Sequence, residues 1–401
     1  MAKSEEIIAR DVLSVLDEYS AYSSFLDQST LSNVTGWINT GSKMLNAVIS
    51  GSLNGGIPIG RVTLLAGESA TGKSYIAQKI VGNAQKMGMY TVVFDSENAI
   101  DAKMAISLGA DPSKIKYFPV KSIEQVRNAI FALLEKIEEA KMEGKFLIVI
   151  DSLANMLSEM ETKRMGKDST SADMGTIAKA IKSLLKTCTT YGGLTKTTFL
   201  VTNHIYDNPN EMYPDLVKCM NGGKACRYLP SVVVQLAKRN LKEKDSGEKD
   251  EVALGKGVSG IEMRCMCVKN RFIRPMIEGS MYLSWKSGLD EEYGTMDLAV
   301  DLGVLTRRGS VYDLYDGTPL GYGKNFRKNR ELWDEKIYPE IERRLPEVWG
   351  YSSADEIPDD EIPIEFEETE IKNKADSEYP TNEDLEVDGT FGVMRELSAR
   401  S

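Results

Sequence analysis

Short apolar runs bounded by glycine, proline and polar residues recur along the first three-quarters of the chain. Val62–Ala66, Thr91–Phe94, Phe146–Ile150, Phe199–Thr202 and Val232–Leu236 are rich in Val, Ile, Phe, Leu and Thr, the pattern of strands buried on both faces. Between them the apolar positions return every three or four residues, so Tyr75–Met87, Ser122–Met142 and Thr176–Thr187 read as helices. Strands and helices alternate from about Trp37 to Trp285, which predicts an α/β fold with a mostly parallel central sheet flanked by helices. In such folds ligands sit at the carboxyl ends of the strands.

Four segments are expected. Residues 1–35 form an N-terminal helical segment, with Ile8, Val12, Leu16 and Phe25 as an apolar face that caps its own domain or packs on a neighbour in an oligomer. Residues 36–288 are the core, 289–350 a smaller C-terminal region rich in Arg, Lys and aromatics, and 351–401 an acidic tail with the composition of a disordered segment. There is no internal repeat.

Composition narrows the class. Hydrophobic content of 42% and charged content of 27% are ordinary for a globular protein, and the longest apolar run, Phe146–Ile150, is far too short to span a membrane. Without a signal-like basic and apolar N-terminus, the expected location is the cytoplasm. Cys188, Cys219, Cys226, Cys265 and Cys267 lack a Cys-x-x-Cys pair and the chain has one histidine, so reduced thiols are expected rather than a zinc site. Cys265 and Cys267 alternate as core positions of a strand. The net charge of −11 is concentrated: residues 351–401 hold 16 acidic and 4 basic side chains, a balance of −12, which leaves the preceding 350 residues at +1. A nearly neutral body leaves room for basic clusters that bind nucleic acid.

The most specific chemistry lies in Gly67-Glu68-Ser69-Ala70-Thr71-Gly72-Lys73-Ser74, between an apolar strand and a helix that opens at Tyr75. This is a phosphate-binding loop. Its glycines let the backbone turn so that successive amides point inward, and the helix N-terminus adds positive potential. Lys73 reaches the β- and γ-phosphates of a nucleotide such as ATP, and the Ser74 hydroxyl ligates Mg²⁺. A second apolar strand ends in Asp151, a carboxylate placed for the metal. A third ends in Asp95-Ser96-Glu97, and Glu97 reads equally as a base that activates water and as a solvated strand end.

Two segments read as loops able to hold DNA. Glu161–Gly175 carries Lys163, Arg164 and Lys167, and leads into a helix where Lys179, Lys182 and Lys186 share a face. A lysine stripe of this kind is also what a solvated helix face looks like. Tyr206–Lys224 carries Pro209, Pro214 and the Gly222-Gly223 pair, whose amides suit sequence-independent phosphate contact.

Several ordered motifs resemble the bacterial RecA family: Phe94-Asp-Ser-Glu-Asn-Ala-Ile-Asp101, Leu108-Gly-Ala-Asp-Pro112, Ile150-Asp-Ser-Leu153, Thr202-Asn-His-Ile205, Gly222-Gly-Lys-Ala225, Val268-Lys-Asn-Arg271 and Asp301-Leu-Gly-Val304. They span about Ile38 to Phe326. His204, Met104 and the acidic tail look more like the UvsX recombinases of T4-type bacteriophages. The resemblance implies a RecA-type core that binds ATP and Mg²⁺, forms helical filaments on single-stranded DNA, pairs that strand with homologous duplex, and works with mediator and single-strand-binding proteins. It implies that Glu97 activates water, that Asp101, Met104 and Tyr293 contact adenine, and that His204 senses the γ-phosphate. It further implies that Lys269 and Arg271 reach a neighbouring subunit's ATP, and that Met174, Gly222, Gly223 and Lys224 touch DNA. A hexameric DNA motor of the replicative-helicase type, which shares the loop and the strand carboxylates, is the alternative.

Overall fold

The computed structural model describes residues 2–29, 31–98, 100–164, 174–206, 217–242 and 257–351. Its centre is a nine-stranded sheet: β1 Val62–Gly67, β2 Tyr90–Asp95, β3 Ile115–Pro119, β4 Phe146–Asp151, β5 Thr198–Asn203, β6 Val232–Lys242, β7 Val258–Lys269, β8 Ile277–Ser284 and β9 Gly288–Asp290. The spatial order is β9-β8-β7-β6-β1-β5-β4-β2-β3. From β6 to β3 every pairing is parallel, and from β6 to β9 every pairing is antiparallel.

The apolar runs are continuous because both faces of these strands are covered. On one face Leu65, Val93, Leu147, Val149, Leu200 and Leu236 share a core with α2 (Lys43–Ser50) and α3 (Lys73–Lys86). On the other, Leu64, Phe94, Ile148, Ile150 and Val201 pack on α5 (Ile123–Glu139), α7 (Met174–Leu194) and Cys226 of α8 (Lys224–Tyr228). Alternate residues of each strand serve opposite cores, as a period of two requires. Cys265 and Cys267 lie on β7, both facing the first core.

Several boundaries differ from the sequence expectation. Helix α3 starts at Lys73 rather than Tyr75, so Lys73 and Ser74 form its first turn. Helix α7 covers Met174–Leu194 instead of Thr176–Thr187, and β6 runs to Lys242 rather than ending at Leu236, because β7 pairs with it beyond the edge of β1. Glu161–Arg164, read as loop, are helical within α6 (Glu159–Arg164). The reason is a reciprocal cap: the Ser158 amide donates to Glu161 Oε2 at 2.9 Å and the Glu161 amide to Ser158 Oγ at 3.2 Å. Residues 165–173 of that loop, 207–216 of the second, and the acidic tail from 352 onward lie outside the described residues.

The chain after β9 holds a three-stranded antiparallel sheet (Leu305–Arg308, Val311–Leu314, Pro319–Tyr322) and a helix, Tyr338–Trp349. Its Leu314, Phe326, Trp333, Ile341 and Leu345 belong to the same core as α2 and α3. Glu342 Oε1 accepts from Ser52 Oγ and from the amides of Asn54, pinning that helix to the turn after α2. Among the described residues no helix is long and apolar enough to cross a membrane. Leu345 is fully buried. Leu345→Ala should cost about 2–5 kcal/mol and lower the urea midpoint followed by tryptophan fluorescence; an unmoved midpoint would refute the shared core.

Candidate active site

The chemistry collects at the carboxyl edge of the parallel strands. Register places it there: Leu236 pairs with Gly67, Ala66 with Asn203, and Asp95 with Asp151. The turn after β1 is tight enough to demand glycine at two positions. A Cβ on Gly67 would lie 2.7 Å from Thr71 Oγ1, and Gly72, at φ +85°, would push one to 2.8 Å from Met263 Sδ.

Lys73 is buried, and its Nζ donates to the carbonyls of Gly67 and Glu68 at 2.8 Å each. The ammonium thus folds back on its own loop. Burial pulls its pKa down, against the opposing pull of Asp151 and Glu97. Asp151, at the end of β4, accepts from the Thr202 hydroxyl, and the Ser74 hydroxyl is near it. Burial raises its pKa, and the two hydroxyls act the other way by favouring the carboxylate. Ser74 and Asp151, the two residues expected at Mg²⁺, are therefore close enough for the hydroxyl to favour the carboxylate. A hydroxyl on the first turn of α3 beside a carboxylate is the oxygen donor set that a hexacoordinate, water-retaining Mg²⁺ takes beside nucleotide phosphates.

Glu97 lies just past β2, and its Oε1 is the focus of three donors: Ser152 Oγ at 2.9 Å, Asn155 Nδ2 at 2.9 Å and His204 Nε2 at 3.4 Å. Asp95 shapes the approach by accepting from the amides of Glu97 and Ile100. The Asp151–Ser152 peptide is cis, and Ser152 is fixed to Ser96 by bonds in both directions. Glu97 is thus an exposed carboxylate at the strand end, held in one orientation by these donors.

His204 connects this cluster to the Gly222-Gly223 segment. It follows β5 directly, and its carbonyl accepts from the Asn221 amide at 3.4 Å. Asn203 Nδ2 donates to the Asn221 carbonyl at 2.8 Å, and Ile205–Tyr206 pairs antiparallel with Cys219–Met220. Gly222 has φ +86° and is crowded by Ile181 of α7 and Cys226 of α8; Gly223 precedes α8, which Lys224 opens. Met174 opens α7, and Lys179, Lys182 and Lys186 are exposed along it.

Other expected residues fall elsewhere. Asp101 caps α4 (Ala102–Ser107) by accepting from the Met104 amide at 2.7 Å. Tyr293 follows β9, bonded to Glu262 at 3.0 Å and against the Tyr282 ring. The two groups thus follow strands in different halves of the sheet. Tyr75 lies nearer to β9: a Cβ on Gly288 would sit 2.7 Å from its hydroxyl. Lys269 and Arg271 stand at the opposite, amino edge. Lys269 pairs across β7 and β6 with Val233, and its Nζ donates to the carbonyls of Tyr228 and, at 2.7 Å, Pro230. Ser231 is bonded to Val62, where β1 begins, so about 15 Å of strand separates this ammonium from Gly67. Burial, with Arg271 adding to it, brings the Lys269 pKa down to about 8.

Sequence reasoning missed Thr202, Ser152, Asn155 and Lys238. Thr202 and Ser152 stand inside motifs already singled out but were given no role there, and Asn155 lies in the turn that follows one of them. Lys238 lies in the unanticipated extension of β6 and donates from Nζ to the Ser69 carbonyl at 2.8 Å.

The RecA N-terminal domain family matches residues 22–290. A protein RecA of Ruminococcus albus is 28% identical over 309 residues, covering 77% of this chain and 71% of that protein. A protein RecA of Streptomyces rimosus is 28% identical over 298 residues, covering 74% and 73%. The recombination and repair protein of Enterobacteria phage T4 is 28% identical over 272 residues, covering 67% and 65%.

Thr202→Val keeps the shape but removes a charge-assisted bond to Asp151. The affinity for Mg²⁺–ADP should fall about three- to tenfold in calorimetric titration, and parental affinity would show that the hydroxyl does not hold the carboxylate.

Proposed function

This chain belongs to the RecA family, and we propose that it is an ATP-dependent recombinase of the phage type, which polymerises on single-stranded DNA and pairs that strand with homologous duplex. The observation that carries this reading is the division of the site between two edges of one sheet. The phosphate loop, Ser74, Asp151 and Glu97 are at the carboxyl edge, while Lys269 and Arg271 are about 15 Å away at the amino edge. These cations are out of reach of this chain's own nucleotide but would meet that of a second copy stacked head to tail. Charge supplied from a neighbour then couples hydrolysis to assembly.

In this mechanism Lys73 leaves the Gly67 and Glu68 carbonyls for the phosphates. Ser74 and Asp151 hold Mg²⁺, which would neutralise the phosphate oxygens. Asp101, Met104 and Tyr293 receive the base. Glu97 accepts a proton from the attacking water, with Ser152 and Asn155 fixing its orientation. His204 exchanges its bond to Glu97 for one to the γ-phosphate, and the Asn203–Asn221 link carries that shift to Gly222, Gly223 and Lys224. Backbone amides there, with Met174 and the Lys179, Lys182 and Lys186 face, hold the DNA by its phosphates. The exposed Ile8, Val12 and Leu16 of the N-terminal segment supply an apolar face to the adjoining copy.

Two outcomes are expected. Glu97→Gln should lower ATP turnover by about 10²–10⁴-fold, yet form long open helices on single-stranded DNA in electron micrographs with ATP. Closed six-membered rings would point to the motor reading, and near-parental turnover would exclude Glu97 as the base. A lysine with its pKa lowered to about 8 keeps its charge below that pH and loses it above. The kcat/KM for DNA-stimulated hydrolysis should therefore decline above pH about 8, and Lys269→Arg should move that limb upward; an identical limb in both proteins would remove Lys269 from the reaction.

A further inference from the structure

The phosphate loop is gripped from outside by a residue of the β6 extension. Two residues beyond the Leu236–Gly67 pairing, Lys238 stands opposite Met263 on β7, both on the face that carries α3. Met263 Sδ lies against Gly72, and Lys238 Nζ donates to the Ser69 carbonyl at 2.8 Å. The neighbouring residue, Ala70, has φ +58°, a left-handed conformation that strains an alanine. The Ser69 carbonyl and the Ala70 amide belong to one peptide plane. An ammonium on that oxygen therefore fixes the plane and makes the Ala70 N–H a stronger donor toward the interior of the loop.

We propose that Lys238 is a positioning residue for the nucleotide, which holds the Ser69–Ala70 peptide so that the Ala70 amide faces the bound phosphates. It is not interchangeable with Lys73. The Lys73 ammonium occupies the Gly67 and Glu68 carbonyls and must leave them to meet phosphate, whereas Lys238 approaches from β6 and stays on the loop throughout. The two ammoniums are close enough for Lys238 to oppose protonation of Lys73, a repulsion that an incoming polyphosphate relieves. The inference rests on the nucleotide site of the proposed function and not on filament formation or DNA binding.

The test is calorimetric titration of the full-length chain with Mg²⁺–ADP in the absence of DNA. Lys238→Met, which keeps the stem but loses the donor, should weaken binding about three- to tenfold, and Lys238→Arg should restore it to within about twofold. In an Ala70→Gly background the left-handed turn no longer costs strain, so the further loss caused by Lys238→Met should shrink to less than about twofold. Parental affinity in Lys238→Met overturns the proposal. So does an undiminished loss in the glycine background, which would mean that the charge acts at a distance rather than by holding the peptide.

Discussion

Parallel pairing in one register is the constraint from which the site follows. Ala66 beside Asn203 and Asp95 beside Asp151 bring the loop, Asp151, Glu97 and His204 to a single edge. A slip of one residue would exchange the two faces of a strand, sending Leu147 and Val149 toward the α5–α7 side and Asp151 away from Ser74. The two apolar cores prevent this, since each claims alternate residues of the same strands. Hydrophobic burial therefore does the aiming for polar groups that could not hold such positions themselves.

Within that frame the buried charges are all partnered. Lys73 rests on two carbonyls and Asp151 on the Thr202 hydroxyl, while the exposed Glu97 takes three donors. Unpaired, Lys73 or Asp151 would be expensive to bury. The partners of Lys73 and Asp151 are uncharged carbonyls and a hydroxyl, so a polyphosphate and its cation would replace modest bonds with stronger charge-assisted ones. Arrangements of this kind make the site stable without ligand and still strongly biased toward it.

Much of this was legible before any coordinates. The five parallel strands nearest the site, the loop and the carboxylates at Glu97 and Asp151 announce themselves through short apolar runs ending in characteristic residues. Those signals are local. What stayed hidden depends on pairing between distant segments: the antiparallel half of the sheet lengthens β6 past Leu236 and so brings Lys238 to Ser69, 169 residues away in sequence. The Ser158–Glu161 cap was readable but lay inside a stretch whose basic residues suggested a loop. Thr202 was passed over because a threonine inside an apolar strand looks like β-propensity, and only the turn of β5 toward Asp151 gives its hydroxyl a task.

The separation of phosphate loop and basic residues by the length of β1 and β6 has a polar outcome. In a head-to-tail stack one extremity would present a nucleotide pocket with nothing above it, and the other a bare pair of cations. The last pocket would turn over slowly while interior ones fire, so growth and shedding would proceed from unlike tips. Directionality of that sort would need no additional factor; in such a stack it would follow from which rim of the sheet holds Lys269.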